Sequence, residues 1–170
     1  MATVLRSNVA AILAAVKAQL IADGVALEDE IWIVRKRRGL QVSFSGDKQF
    51  LLSVGGYLPG KENDGGGRLN TWIRRRLRMQ IRTSLLLDEA EKDETRLLTD
   101  ATGHYAIEDA VLNCLQDFLP EDTDGNWLLN EPMRLNPSGD AEQEAPNDSA
   151  WTQSVLEFEI CYTADLSPLT

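Results

Sequence analysis

Sulfur and imidazole are scarce in this chain, which has two cysteines and one histidine among 170 residues. Two cysteines are too few for the disulfide framework of a small secreted domain. Cys114, in a helical pattern, and Cys161, in a strand pattern, are therefore expected as buried free thiols. His104 has no Cys or carboxylate partners at ligand spacing, so it does not write a zinc site, and neither a metal nor a cofactor is expected. No apolar run approaches the roughly 18 residues that span a bilayer, which predicts no membrane partner. The N-terminal segment carries Arg6 and Lys17 among apolar positions, but its alanine-rich spacing up to Asp23-Gly24 reads as a folded helix rather than a signal peptide. A protein kept in reducing cytosol is the expectation.

Catalytic patterns are equally thin. Cys114 has no base near it in sequence, and Gly65-Gly66-Gly67 lacks the Lys-Ser/Thr that completes a phosphate-binding loop. The acid pairs Asp88-Glu89 and Glu121-Asp122 do not follow the alternating ligand positions of a calcium loop. No set of residues presents a nucleophile, a base and a stabiliser together, so the expectation is a protein that is not an enzyme.

A chain of this length buries roughly two thirds of its unfolded surface in one core, which predicts a single domain over residues 1–170. Its charge is divided along the chain. Residues 1–87 hold 14 of the 17 Lys and Arg but 7 of the 27 acids; residues 88–170 hold 3 and 20. The formal net charge of -10 is thus the sum of a basic half and an acidic half, which can meet within one molecule or between copies. Overall acidity argues against a dedicated nucleic-acid binder.

Against that background, RLNTWIRRRLRMQIR over residues 68–82 is the most informative segment. Strand alternation places Leu69, Thr71, Ile73, Leu77, Met79 and Ile81 on one side and Trp72, Arg74, Arg76, Arg78, Gln80 and Arg82 on the other, with Arg75 the one cation on the apolar side. Four cations at alternate positions repel one another unless something acidic covers them. Three sources are open: Glu157 and Glu159 on the closing strand, the acidic surface of a neighbouring subunit, or a phosphate backbone in a channel. A strongly basic channel wall would hold nucleic acid rather than pass it, so subunit contacts are preferred over the channel, with Trp72 available to stack on guanidinium. Arg35, Lys36, Arg37 and Arg38 form a second cluster, read as a solvated turn.

Hydrophobic spacing supplies the elements. Val9, Ile12, Leu13, Val16 and Leu20 share a helical face, with Ser7 as N-cap and Gly24 as terminator. EIWIVRKRR and GLQVSFSGDKQFLLSVGG read as strands of a hairpin or meander, turned at Ser45-Gly46-Asp47. A flexible loop is predicted over 55–68, then the arginine strand to about Leu87, then an acidic helix or turn in DEAEKDETRLL. Thr102 is the expected cap of a second helix carrying Ile107, Ala110, Val111, Cys114, Leu115 and Phe118 up to Pro120. A turn at Asp122–Asn126, a short strand in NWLLNEPMRL broken by Pro132, an acidic linker over 136–150 and a closing strand in WTQSVLEFEICYTADL complete the chain. This predicts an α+β fold: a mainly antiparallel mixed sheet, two helices packed on it, and one long protruding strand or hairpin arm.

Three stretches, the amphipathic N-terminal helix, the long strand running into DEAEKDET and AIEDAVLNCLQDFL, and the closing WTQSVLEFEICYT, make the chain resemble the tail terminator (tail-completion) proteins of tailed bacteriophages. The resemblance implies a structural virion protein of the tail or neck, assembled in the host cytoplasm. It implies a homo-oligomer, a hexameric ring that ends polymerisation of the tail tube and joins it to the head–tail connector protein, with genomic DNA passing through the lumen. The subunit interface is then expected to include Trp72, Arg74, Arg76, Arg78, Arg82, Glu157 and Glu159. The acidic linker is longer and more charged than such a plan requires. The competing readings are another head–tail neck component, or a nucleic-acid-binding module using the basic face around Arg74–Arg82 with Trp72.

Overall fold

The structure is a computed structural model and describes residues 8–34, 43–44, 46–58, 70–84, 98, 102–136 and 151–165. Among these residues, five strands form one mixed sheet in the order β1-β2-β3-β5-β4: β1 Ile31–Ile33, β2 Lys48–Tyr57, β3 Asn70–Ser84, β4 Arg134–Leu135 and β5 Trp151–Asp165. Helices α1 Asn8–Ala22 and α2 His104–Leu115 pack on one face of it. The fold is α+β.

Periodicity explains that face. Ile12, Leu13, Val16 and Leu20 of α1 and Ile107, Val111 and Leu115 of α2 meet Phe50 and Leu52 of β2, Leu77, Met79 and Ile81 of β3, and Leu156, Phe158 and Ile160 of β5 in one buried cluster. Each strand contributes alternate residues, as the pleat requires. Gly24 ends α1 with φ +70°, its N–H bonding to Ile21 and the Val25 N–H reaching back to Leu20, the paired bonds of a glycine-terminated helix. Val25 packs on the core beneath this turn.

β3 and β5 pair antiparallel along their whole length, from Asn70 opposite Asp165 to Ser84 opposite Trp151. The β2 register covers β3 only from Arg75 to Thr83, so the Asn70 end of the β3–β5 ribbon runs beyond it. β2 is irregular between Val54 and Tyr57, and there the Gly55 carbonyl accepts a 2.9 Å bond from Arg75 Nε. That contact gives the one cation on the apolar side a backbone partner.

Several boundaries differ from expectation. β2 runs through Gly55–Tyr57, where a loop was expected; the rest of that loop, residues 59–68, lies outside the described residues. β1 pairs parallel to β2, so these two strands are not a hairpin, and the expected partner run 39–44 is described only at Ser43 and Phe44, which are not strand. The α2 N-cap is Gly103, not Thr102, and the helix stops at Leu115. Asp117 takes φ 61°, and its N–H donates to the Met133 carbonyl while Met133 N–H donates to Phe118. Phe118 therefore reaches the core from an extended segment paired with the chain before β4, and not from the helix. The strand expected in NWLLNEPMRL shrinks to Arg134–Leu135, beyond Pro132. Ser7, the cluster 35–38, residues 88–97 of the acidic segment and residues 137–150 of the linker fall outside the described residues.

Candidate functional site

From Arg75 onward β3 lies between β2 and β5, so the later rungs of its arginine face have two neighbours and the earlier ones pair with β5 alone. Across β5, Arg74 stands opposite Cys161, Arg76 opposite Glu159, Arg78 opposite Glu157, Gln80 opposite Val155 and Arg82 opposite Gln153. Across β2, Arg78 faces Ser53 and Arg82 faces Gln49.

Two of the expected carboxylates bond to this face, each one rung off the direct register. Arg74 Nη1 donates to Glu159, and Arg76 Nη1 reaches Glu157 Oε2 at 3.4 Å. Glu131, from the loop before β4, adds a second carboxylate to Arg74 at 3.3 Å. These partners hold the Arg74 pKa above the ordinary arginine value, the bond to Glu159 being the largest cause. The intramolecular source of countercharge is thus realised for Arg74 and Arg76. The Arg74–Glu159 pair is about one third exposed, so its net worth is about 0.5–1 kcal/mol after solvent screening.

Arg82 differs. It is 1% exposed; its Nη1 donates to Gln49 Oε1 at 3.2 Å and its guanidinium lies 4.8 Å from the centre of the Trp151 ring. Burial lowers its pKa from the ordinary value, but a guanidinium stays charged at any physiological pH, and the aromatic face is a fitting neighbour for a desolvated cation. Trp151 in turn stacks on Phe44 with ring centres 5.9 Å apart. Gln80 and Gln153 bond beside it, which completes a buried polar layer at the Ser84 end of the ribbon.

Arg78 has no ion pair among the described residues, and its Nε is buried without an acceptor there; the same holds for Nε of Arg76. Trp72, at the overhanging end, is 46% exposed. Arg134 of β4, opposite Glu159, is exposed on the same side and also carries no ion pair among the described residues. Of the expected interface set, then, Trp72 and Arg74 lie on the overhanging end, Arg76 and Arg78 follow on the same face where β2 flanks β3, Glu157 and Glu159 stand across from them on β5, and Arg82 is buried within the chain. Glu131 and Arg134 are additions that only tertiary structure reveals, because a loop and a two-residue strand have no alternation to give them away.

The rare reactive groups are bound into packing. His104 is buried with Nδ1 2.9 Å from Thr83 Oγ1, and burial lowers its pKa below the ordinary 6.5. The Cys114 thiol is only half-buried, where full burial was expected, yet desolvation and then Asp23 push its pKa up to about 12. Cys161 is buried, and burial raises its pKa as well. Among the described residues no group of three or more His, Cys, Asp or Glu could hold a metal ion, and no helix is long and apolar enough to cross a membrane. No protein-family model and no curated protein matches the chain.

Proposed function

We propose that the chain is a structural assembly protein: a subunit of a ring at the end of a phage tail tube that ends tube polymerisation and joins the tail to the head connector. The observation that carries this reading is the outer face of the β3–β5 ribbon, where half-exposed Trp72 on the overhanging end shares one side with Arg76, Arg78 and Arg134, and Arg78 and Arg134 lack an ion pair among the described residues. Aromatic and arginine side chains are the enriched residues of protein interfaces. The acidic excess of residues 88–170 gives a second copy the opposite charge to offer. A contact between two different patches, repeated by a rotation that divides the full circle, closes a ring.

Support also comes from His104 and Cys114, whose environments suit packing better than proton transfer or nucleophilic attack. The nucleic-acid reading is weakened because Arg82 is inaccessible and Arg74 and Arg76 already hold carboxylates.

The test is mass in solution and composition of assembled tails. A ring-sized particle, or the chain in stoichiometric amount at one end of the tube, is expected; a chain that stays monomeric and is missing from assembled tails would defeat the reading. DNA titration over a salt series checks the alternative, since a phosphate-binding face gives an affinity that falls steeply with salt. Little or no binding is expected.

A further inference from the structure

We propose that the edge strand β1 and its acidic rim form the acceptor surface for the arginine face of a second copy. The inference rests on the ring reading above and supplies its missing half, the patch that the ribbon face would meet.

β1 is the outermost strand of the sheet, and among the described residues no strand lies on its outer side. Successive residues of a strand point to opposite faces. Trp32 is 45% exposed and Ile33 is 52% exposed, so the edge is open on both. Leu27, just before the 3₁₀ turn Glu28–Glu30 that leads into β1, is 64% exposed. An apolar edge strand bare on both faces is the surface that proteins ordinarily blunt or cover.

Its rim is acidic. A cleft of about 190 Å³ opens beside Trp32, with Asp29, Glu30 and Asp47 around it. Glu30 is engaged by Lys48 at 3.6 Å and by the Leu27 N–H at 2.7 Å. Asp29 and Asp47 are exposed and carry no ion pair among the described residues. The acceptor thus offers two carboxylates without an ion pair among the described residues around an indole, and the donor face offers two such guanidinium groups, Arg78 and Arg134, on the same side of the sheet as the exposed indole of Trp72. Charge complementarity selects a second copy as occupant.

The placement suits a head-to-tail contact. Ser84 N–H bonds to the Asp47 carbonyl, which fixes Asp47 at the Ser84 end of β3. Trp72 stands twelve positions away along the same strand, about 40 Å at roughly 3.3 Å per residue. Trp72 at the far end of β3 and Arg134 on β4, at the opposite edge of the sheet from β1, are thus separate from the acceptor, with Arg78 between them, so one subunit can use both patches at once with two different neighbours.

Charge exchange tests this with the purified full chain, using sedimentation over a concentration series. Wild-type protein should self-associate. R78E/R134E and D29K/D47K should each weaken association at least about tenfold, because each sets like charge against like. An equimolar mixture of the two variants should recover it, since each then offers the patch that the other needs; a merely structural role for these residues gives no such recovery. As Arg78 is partly buried, R134E alone and W32S serve as surface variants that keep the native fold by circular dichroism, and both should weaken association. If wild-type protein associates but the mixture does not recover, or D29K/D47K and W32S leave association unchanged, β1 is not the acceptor and the ring reading stands without it. If wild-type protein is monomeric at the highest attainable concentration, this contact is overturned, and the ring reading is judged on assembled tails alone.

Discussion

Removing the Arg74–Glu159 pair measures how far the ladder is neutralised by its own chain. Two unit charges about 4 Å apart attract by about 1 kcal/mol in water and about 4 kcal/mol at an effective dielectric of 20. Both side chains are roughly one third exposed, so ordering and screening bring the net coupling to about 0.5–1 kcal/mol. R74Q also forfeits the Glu131 contact at 3.3 Å and should cost more than E159Q, which leaves Arg74 its second carboxylate. The assay is a double-mutant cycle of R74Q, E159Q and the double variant, by urea unfolding at low and at high salt. We expect a favourable coupling of about 0.5–1 kcal/mol at low salt that shrinks as salt rises, with thermal midpoints of the single variants lower by about 2–4 °C per kcal/mol. A coupling indistinguishable from zero, or one that salt leaves unchanged, would refute the claim that electrostatic pairing within the chain neutralises this rung.

Other outcomes follow from the core. His104 has its folded-state pKa below the unfolded value of 6.5, so its neutral form contributes stability that is fully present above that value; unfolding free energy should fall as pH drops through about 6.5 toward the folded pKa, and T83V, which removes the Nδ1 partner, should cost about 1–3 kcal/mol by urea melts. Cys114, raised to about 12 from 9.0, works in the opposite direction: stability should decline as pH climbs above about 9, and native protein should resist alkylation at pH 8 until denaturant is added. Phe158 is fully buried in the shared core, so F158A should cost about 3–5 kcal/mol, checked by the shift of the urea midpoint.

How much of this was legible in the residues divides along physical lines. The faces of β3 and β5 were plain because apolar core positions recur with a period of two, and Leu77, Met79 and Ile81 against Arg76, Arg78 and Arg82 keep that period without interruption, even though Gln80 and Arg82 on the polar face are buried too. The α1 face and its glycine terminator were equally readable. Cross-strand register was not: alternation says that Glu157 and Glu159 share a face with the arginines, but only the paired structure says that each bonds one rung away from its direct opposite. The early end of α2 escaped because Phe118 still falls on the helical period; the decisive contact, Asp117 N–H to Met133, comes from a distant segment. Glu131, Arg134 and the acidic rim of Asp29 and Asp47 belong to loops or to a two-residue strand, where no period exists to mark them. The parallel pairing of β1 had the same cause, since three residues are too few to reveal their partner.

The full-length pairing of β3 with β5 has a consequence for biosynthesis. Its contacts join residues as far apart as Asn70 and Asp165, and β5 is the last of the described strands to leave the ribosome. Until it emerges, β3 lacks one neighbour, the Arg74 and Arg76 guanidinium groups lack Glu159 and Glu157, and the apolar side of β3 is without Phe158 and Ile160. Non-local pairing of this kind makes folding slow and leaves a sticky intermediate. The nascent chain therefore passes through a stage in which the basic strand β3 waits for its acidic complement, and chaperone demand should concentrate in that interval.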